Sequence, residues 1–149
     1  MKPVELFTAH RKMYALAVEQ IQPLCRKYGI NQTCFDVLMF FANNPEYNTA
    51  RDVCCVRGIK SGLASVAVET LIDKGYLSRQ EDPRDRRIKR LAVTSAAAEL
   101  IQEGRAVQHR VAEMVTAGIP KEELEAYWRV TERMMQNIQA LKTGGTNLD

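Results

Sequence analysis

The residues best suited to chemistry lie close together: Arg84, Asp85, Arg86, Arg87, Lys89 and Arg90. Residues 57–90 hold nine Lys/Arg against five Asp/Glu, whereas the rest of the 149-residue chain holds 12 against 13. The net charge is only +3, so its concentration in the middle third is what matters. Guanidinium and ammonium groups crowded on a short stretch neutralise phosphates, and a local basic patch is the electrostatic footprint of nucleic-acid binding. The same charges on an ordinary hairpin would serve only solubility, and spacing alone does not choose between the two.

Other chemistries find less. There is no Gly-rich phosphate loop and no nucleophile elbow, and His10 and His109 have no Ser or Cys placed in sequence to form a relay. An enzyme is not expected, nor a cofactor. His109 and Glu113 share a helical face at four-residue spacing, but two residues do not make a metal site. The cysteines, Cys25, Cys34, Cys54 and Cys55, include no C-x-x-C pair, and a secreted disulfide framework would be denser. They are expected as reduced, mostly packed thiols. Cys25 is the candidate for oxidant chemistry, because Arg26 and Lys27 beside it would favour the thiolate. The longest apolar run, residues 37–42, is far too short to span a bilayer. The opening residues do not read as a signal peptide. A cytoplasmic chain with no membrane partner is expected.

Periodicity supplies the elements that must position the basic cluster. Phe7, Tyr14, Ala17, Val18, Ile21 and Leu24 recur at three and four residues and predict a helix over residues 4–27, stopped by Gly29 and ended or kinked near Pro23. A second helix covers residues 32–42 behind Asn31 as N-cap and closes at Asn43-Asn44-Pro45. Thr49-Ala50-Arg51-Asp52 opens a short third helix that ends at Gly58. The fourth runs from residue 60 or 61 to 74, with Val66, Leu71 and Ile72 facing inward and Gly75 after it. Residues 76–80 and 88–93 read as strands around the turn Asp82-Pro83-Arg84-Asp85. A fifth helix reaches residue 117 and carries Leu100, Ile101, Val107, Val111, Met114 and Val115 on one side. Pro120 opens a sixth, along which Leu124, Trp128, Thr131, Met135, Ile138 and Leu141 recur.

Three segments in order then carry a family pattern. They are Leu71-Ile72-Asp73-Lys74-Gly75-Tyr76-Leu77-Ser78-Arg79, Asp82-Pro83-Arg84-Asp85-Arg86-Arg87, and Leu91-Ala92-Val93-Thr94. Together they resemble the MarR winged-helix signature: a recognition helix ending in Leu-x-x-x-Gly, an Asp-x-Arg wing, and a strand finishing in apolar-Thr. The resemblance implies a mainly α chain with a small β-hairpin wing, a winged helix-turn-helix flanked by dimerisation helices. Residues 1–30 would be an N-terminal dimerisation helix, 31–94 the DNA-binding domain, 95–143 the C-terminal dimerisation helices and 144–149 a flexible tail. Double-stranded DNA and a second copy of the chain are the implied partners.

The resemblance also implies roles. The start of the fourth helix, with Lys60, Ser61, Gly62, Ala64 and Ser65, would lie at the base edges of the major groove, where Ser61 and Ser65 reach bases or phosphates, Gly62 permits close approach and Lys60 suits a phosphate. Arg86 or Arg87 would enter the minor groove, with Asp85 steadying Arg87 through a charge-assisted hydrogen bond. Arg84, Lys89 and Arg90 would lie near phosphates. One departure stands out: Val66 and Ala67 occupy the helix centre where many family members carry arginine or another polar residue, which shifts the expected readout toward DNA shape. A cleft for a small aromatic or phenolic effector is implied, with Arg11, Tyr14, Val18, Tyr28, Phe35 and Met39 as candidate lining, although such a stripe equally describes plain core. The expected function is a homodimeric repressor on a pseudo-palindromic operator. The rivals are a winged helix used for protein association and an oxidant-sensing regulator acting through cysteine.

Overall fold

The computed structural model describes residues 2–143, and the tail expected at 144–149 lies outside the described residues. Helix α1 spans Pro3–Tyr28. Proline is tolerated in its first turn, where the missing N–H has no helical partner. Pro23 neither ends nor interrupts it. Pro23 and Glu19, whose carbonyl loses its helical donor, both face solvent, so water can replace the lost bond. Gly29 closes the helix at φ 61°, the left-handed conformation that glycine adopts without a Cβ penalty.

Helix α2, Gln32–Asn43, starts under Asn31, whose side chain accepts from the Cys34 N–H at 2.8 Å. Cys34, Phe35, Val37, Leu38, Met39, Phe40 and Phe41 are all buried. A helix apolar on nearly every side is one enclosed by its neighbours, and α2 is the axis of the core. Helix α3, Ala50–Asp52, opens with the expected capping box: the Asp52 N–H donates to Thr49 Oγ1 at 3.2 Å, and the Thr49 N–H donates to Asp52 Oδ2 at 2.8 Å. The segment then continues as a wider π turn, Val53–Arg57, and not as further α-helix.

Helix α4, Ser61–Asp73, buries Ala64, Ala67, Val68 and Leu71. Steps of three and four residues put these on one face. Val66, expected inward, lies on the opposite face and is 64% exposed. Strands β1, Leu77–Glu81, and β2, Lys89–Val93, pair antiparallel with Leu77 opposite Val93 and Glu81 opposite Lys89. Leu77 and Leu91 are buried. The Leu91 N–H donates to the Asn48 carbonyl at 2.7 Å, which ties the hairpin to the α2–α3 connection.

A 3-10 turn, Ser95–Ala97, leads into α5, Ala98–Thr116. Leu100, Ile101, Gly104 and Val107 are buried, while Met114 and Val115, expected with them, are exposed. A Cβ at Gly104 would lie 2.8 Å from Met39 Sδ and 3.1 Å from Phe35 Cε2, so α5 approaches α2 as closely as bare backbone permits. The chain divides into two compact units, Met1–Val111 and Ala112–Asp149, and the core just described belongs to the first. In the second, α6, Lys121–Thr143, exposes Tyr127, Trp128, Val130, Met134, Met135, Ile138 and Leu141. Among the described residues no helix is long and apolar enough to cross a membrane.

Candidate nucleic-acid interface

Asp82 builds the wing. Its Oδ1 accepts from the backbone N–H of Arg84 at 2.8 Å and of Asp85 at 3.2 Å, an aspartate turning the chain on its own side chain. Its Oδ2 accepts from Arg90 Nε at 2.8 Å, and Arg90 Nη1 donates to Asn48 Oδ1 at 2.8 Å. The Arg84 N–H first, and then Arg90, hold the Asp82 carboxyl below the usual carboxylate range. The side chain of Arg90, expected near phosphate, is 42% exposed. Its guanidinium is a brace between the wing and the α2–α3 connection, with two of its edges already engaged.

Asp85 repeats the device at the tip. Arg87 Nε donates to Oδ1 and Nη2 to Oδ2, both at 3.1 Å, and the Arg87 N–H donates to Oδ1 at 3.0 Å. This fork-to-fork bond holds the Asp85 carboxyl low and orders an arginine side chain that is 91% exposed. Arg84 and Arg86 are exposed beside it. Lys89 Nζ donates to Glu81 at 2.6 Å across the ladder, so part of its charge is compensated within the hairpin. The wing is joined to α4 by an ion pair between Arg79 and Glu69.

The start of α4 presents Lys60, Ser61, Gly62 and Ser65 to solvent. Ala64, expected at the base edges, is wholly buried. It lies three residues before Ala67 and seven before Leu71, on the core face. The exposed face belongs instead to Leu63, which the sequence did not single out, and Val66, which it read as an inward residue and as an apolar departure at the helix centre.

The six residues singled out for an effector cleft do not converge. Phe35 and Met39 are core. Tyr28 turns to α5, where its hydroxyl donates to Glu103 at 2.6 Å beside Lys27 Nζ at 2.5 Å. Arg11 is exposed and does not line the cavity that holds Tyr14 and Val18. Tyr14 and Val18 do line a cavity of about 160 Å³, together with Gln32, Asp36 and Arg57. There Tyr14 donates to Asp36 Oδ2 at 3.3 Å, Gln32 donates to Asp36 Oδ1 at 3.0 Å, and Arg57 Nη2 lies 3.7 Å from Asp36. Burial above all, and then Asp36, push the Tyr14 phenol up, so its proton stays on. Asp36 and Arg57 were not foreseen, and the four-residue step from Gln32 to Asp36 was the only local hint. A larger groove of about 840 Å³ opens between the end of α2, β2 and the start of α5, walled by Phe41, Leu91, Ile101 and Arg105, and none of the expected cleft residues lines it.

Cys25 corrects another expectation. Its thiol is buried, and burial first, then the Asp36 carboxylate, push it up against the opposing pull of Arg26. Burial also pushes up the Cys34 thiol. Cys55 is exposed and Cys54 half-buried. Among the described residues no group of three or more His, Cys, Asp or Glu could hold a metal ion.

A helix standing out beside a braced, arginine-tipped hairpin can be compared with known proteins. Residues 28–88, from the end of α1 to the wing, match the sequence profile of the MarR family. Over this segment the chain is similar to MarR-family proteins. The likeness in fold extends beyond the matched segment. A MarR regulator from Methanosarcina mazei Go1 superposes with a TM-score of 0.77 at 21% identity, covering 91% of this chain and 97% of that one. A MarR-family regulator from Silicibacter pomeroyi gives 0.75 at 15%, over 87% of each chain. Bordetella bronchiseptica BpsR, whose DNA binding is regulated by 6-hydroxynicotinic acid, gives 0.70 at 19%, over 88% of this chain and 98% of its own. The mainly α fold with a two-stranded wing is therefore the winged-helix fold of these solved MarR structures, as expected from the sequence.

Proposed function

We propose that the chain is a transcription repressor that binds a pseudo-palindromic operator in duplex DNA as a homodimer. The support comes from Arg87, an arginine at a hairpin tip already oriented by Asp85. A narrow, A·T-rich minor groove attracts such a side chain, and in this reading the exposed Arg84, Arg86 and Lys60 meet phosphates. In this reading residues 31–94 read DNA, while residues 1–30 and 95–143 assemble the dimer. Val4 and Phe7 on α1, and Trp128, Met135, Ile138 and Leu141 on α6, are exposed apolar side chains, and large exposed apolar patches mark association sites. A symmetric second copy would cover them and set half-sites about 10 bp apart, centre to centre. Such a regulator acts in the cytoplasm and carries no catalysis of its own.

An effector would act through the cavity at Tyr14. The regulation of BpsR by a small aromatic acid suggests the ligand class. The volume of about 160 Å³ is close to that of an engineered cavity of about 150 Å³ that takes up benzene. One aromatic ring is the corresponding size, with Arg57 as the donor to a phenolate or carboxylate, since the Tyr14 proton already goes to Asp36.

The test is selection of random duplex DNA by the full chain, followed by binding of the enriched duplex against salt. A two-fold symmetric sequence, a steep loss of affinity with salt and weakening by Arg86→Ala/Arg87→Ala are expected. No enriched sequence, with wild type and variant indistinguishable, would sink the operator reading in favour of protein association.

A further inference from the structure

With the chain on an operator, as proposed above, we infer that α4 selects its half-site by apolar contact between Leu63 and Val66 and the C5 methyl groups of thymine. The face of α4 opposite its core residues Ala64, Ala67, Val68 and Leu71 carries Gly62, Val66 and Glu69, with Leu63 at its flank. Leu63 is 55% and Val66 64% exposed. Two branched apolar side chains thus face water in the first two turns of the helix that sits where DNA is read.

The polar alternatives on this face are few. Guanine is read by a bidentate Arg or Lys and adenine by Asn or Gln, and the exposed face of α4 has none of these. Ser61 and Ser65 are short and serve any base. Glu69 is the long polar side chain of the face, and it is held by Arg79 of β1. The Thr70 hydroxyl donates to the Val66 carbonyl at 2.9 Å and so is turned onto its own helix. What remains is apolar contact, and the apolar feature that the major groove offers is the thymine methyl. Gly62 shares the face one turn before Val66, and a Cβ there would meet nothing within 4 Å. With no side chain at Gly62 to hold the helix off, Val66 could reach the floor of the groove. The cations at Lys60 and on the wing at Arg84, Arg86 and Arg87 make phosphate the neighbour of this patch, which fits DNA better than an apolar protein surface.

The experiment begins with the duplex that the full wild-type chain enriches from random DNA. That duplex is resynthesised with deoxyuridine replacing thymine at one position at a time, which removes only the methyl. Each half-site is expected to contain thymines at which the replacement weakens binding by about fourfold, the value of one buried methyl group. In Leu63→Ala/Val66→Ala the thymine and uracil duplexes should bind equally, while the salt dependence contributed by the wing persists. Both side chains are exposed, so the variant keeps its core, and the uracil series on wild type does not depend on any variant folding. Equal binding of every uracil duplex by wild type overturns the inference. So does a uracil effect that persists in the double variant, which would belong to DNA shape. In either case sequence-selective, salt-dependent binding would leave the operator function standing. Absence of any selective binding overturns that function and this inference together.

Discussion

Arg87 holds both carboxylate oxygens of Asp85, Nε on Oδ1 and Nη2 on Oδ2, at 3.1 Å each. An exposed arginine is ordinarily spread over many rotamers, and this one is ordered before it meets a ligand. Asp85→Ala should therefore weaken operator binding by about fivefold through restored side-chain freedom. Thermal stability should not move, because an exposed ion pair contributes little to it. Arg87→Ala removes the contact itself and should lower the salt slope by about one. Fluorescence anisotropy over a salt series measures both effects, and equal affinity of Asp85→Ala and wild type would mean that the clasp does not prepare the arginine.

The acid behaviour of the wing follows from Asp82. Its carboxyl sits below the usual range in the folded wing, so the folded state binds that proton more weakly than the unfolded chain. The stabilisation is fully present above the ordinary aspartate value and is lost as the pH falls through the lowered one. Nuclear magnetic resonance titration should place the midpoints of Asp82 and Asp85 below that of a free aspartate. Asp82→Asn should remove the low midpoint and broaden the amide signals of Arg84 and Asp85, whose N–H groups it holds. An ordinary midpoint at Asp82 would contradict the bonding described.

The thiols should react in order of access. Cys55 is exposed, Cys54 half-buried, and Cys25 and Cys34 are buried with their thiols pushed up. A thiolate is the reactive form. A disulfide reagent at neutral pH, followed by peptide mass analysis, should find Cys55 modified first and Cys25 and Cys34 only on unfolding. Early modification of Cys25, with loss of DNA binding, would instead establish the oxidant-sensing alternative.

Gly104 tests the fit of α5 on α2. Adding a methyl group there meets Met39 Sδ at 2.8 Å in a filled core. Overpacking costs roughly 1–3 kcal/mol, and alanine returns about 1 kcal/mol of helix propensity. Gly104→Ala should be destabilising by about 1 kcal/mol in urea unfolding. In a Met39→Ala background the sign should reverse, because the sulfur is gone.

Trp128 is the one tryptophan in the chain and is 63% exposed. In the proposed homodimer it is covered. Its emission should be blue-shifted at micromolar concentration and move to the red on dilution, with the same midpoint as the halving of mass in sedimentation. Red emission at every concentration from a particle of single-chain mass would remove the dimer.

Much of the fold was legible because its signals are local. Asn31, Thr49 and the left-handed glycines Gly29 and Gly75 mark element ends by short-range chemistry, and the Asp-x-Arg pair sits within one turn. What was missed depends on distance or on helix phase. In Leu63-Ala64-Ser65-Val66-Ala67-Val68, hydrophobicity favours the larger Val66 as an inward residue, yet the packed face of α4 takes Ala64 and Ala67 beside Val68 and Leu71. Arg26 and Lys27 adjoin Cys25 in sequence, but neighbours on a helix point in different directions, and the thiol faces the core alone. The partner that decides the role of Arg90 is Asn48, 42 positions away, and no spacing rule announces it.

The close seat of Gly104 has a mechanical meaning. The residue before it, Glu103, is gripped by Lys27 and Tyr28 from α1, while Gly104 itself interlocks with Phe35 and Met39 of α2. The three helices cannot slide past one another without opening a filled core. A push received by α5 over this contact would therefore be shared with α1 and α2.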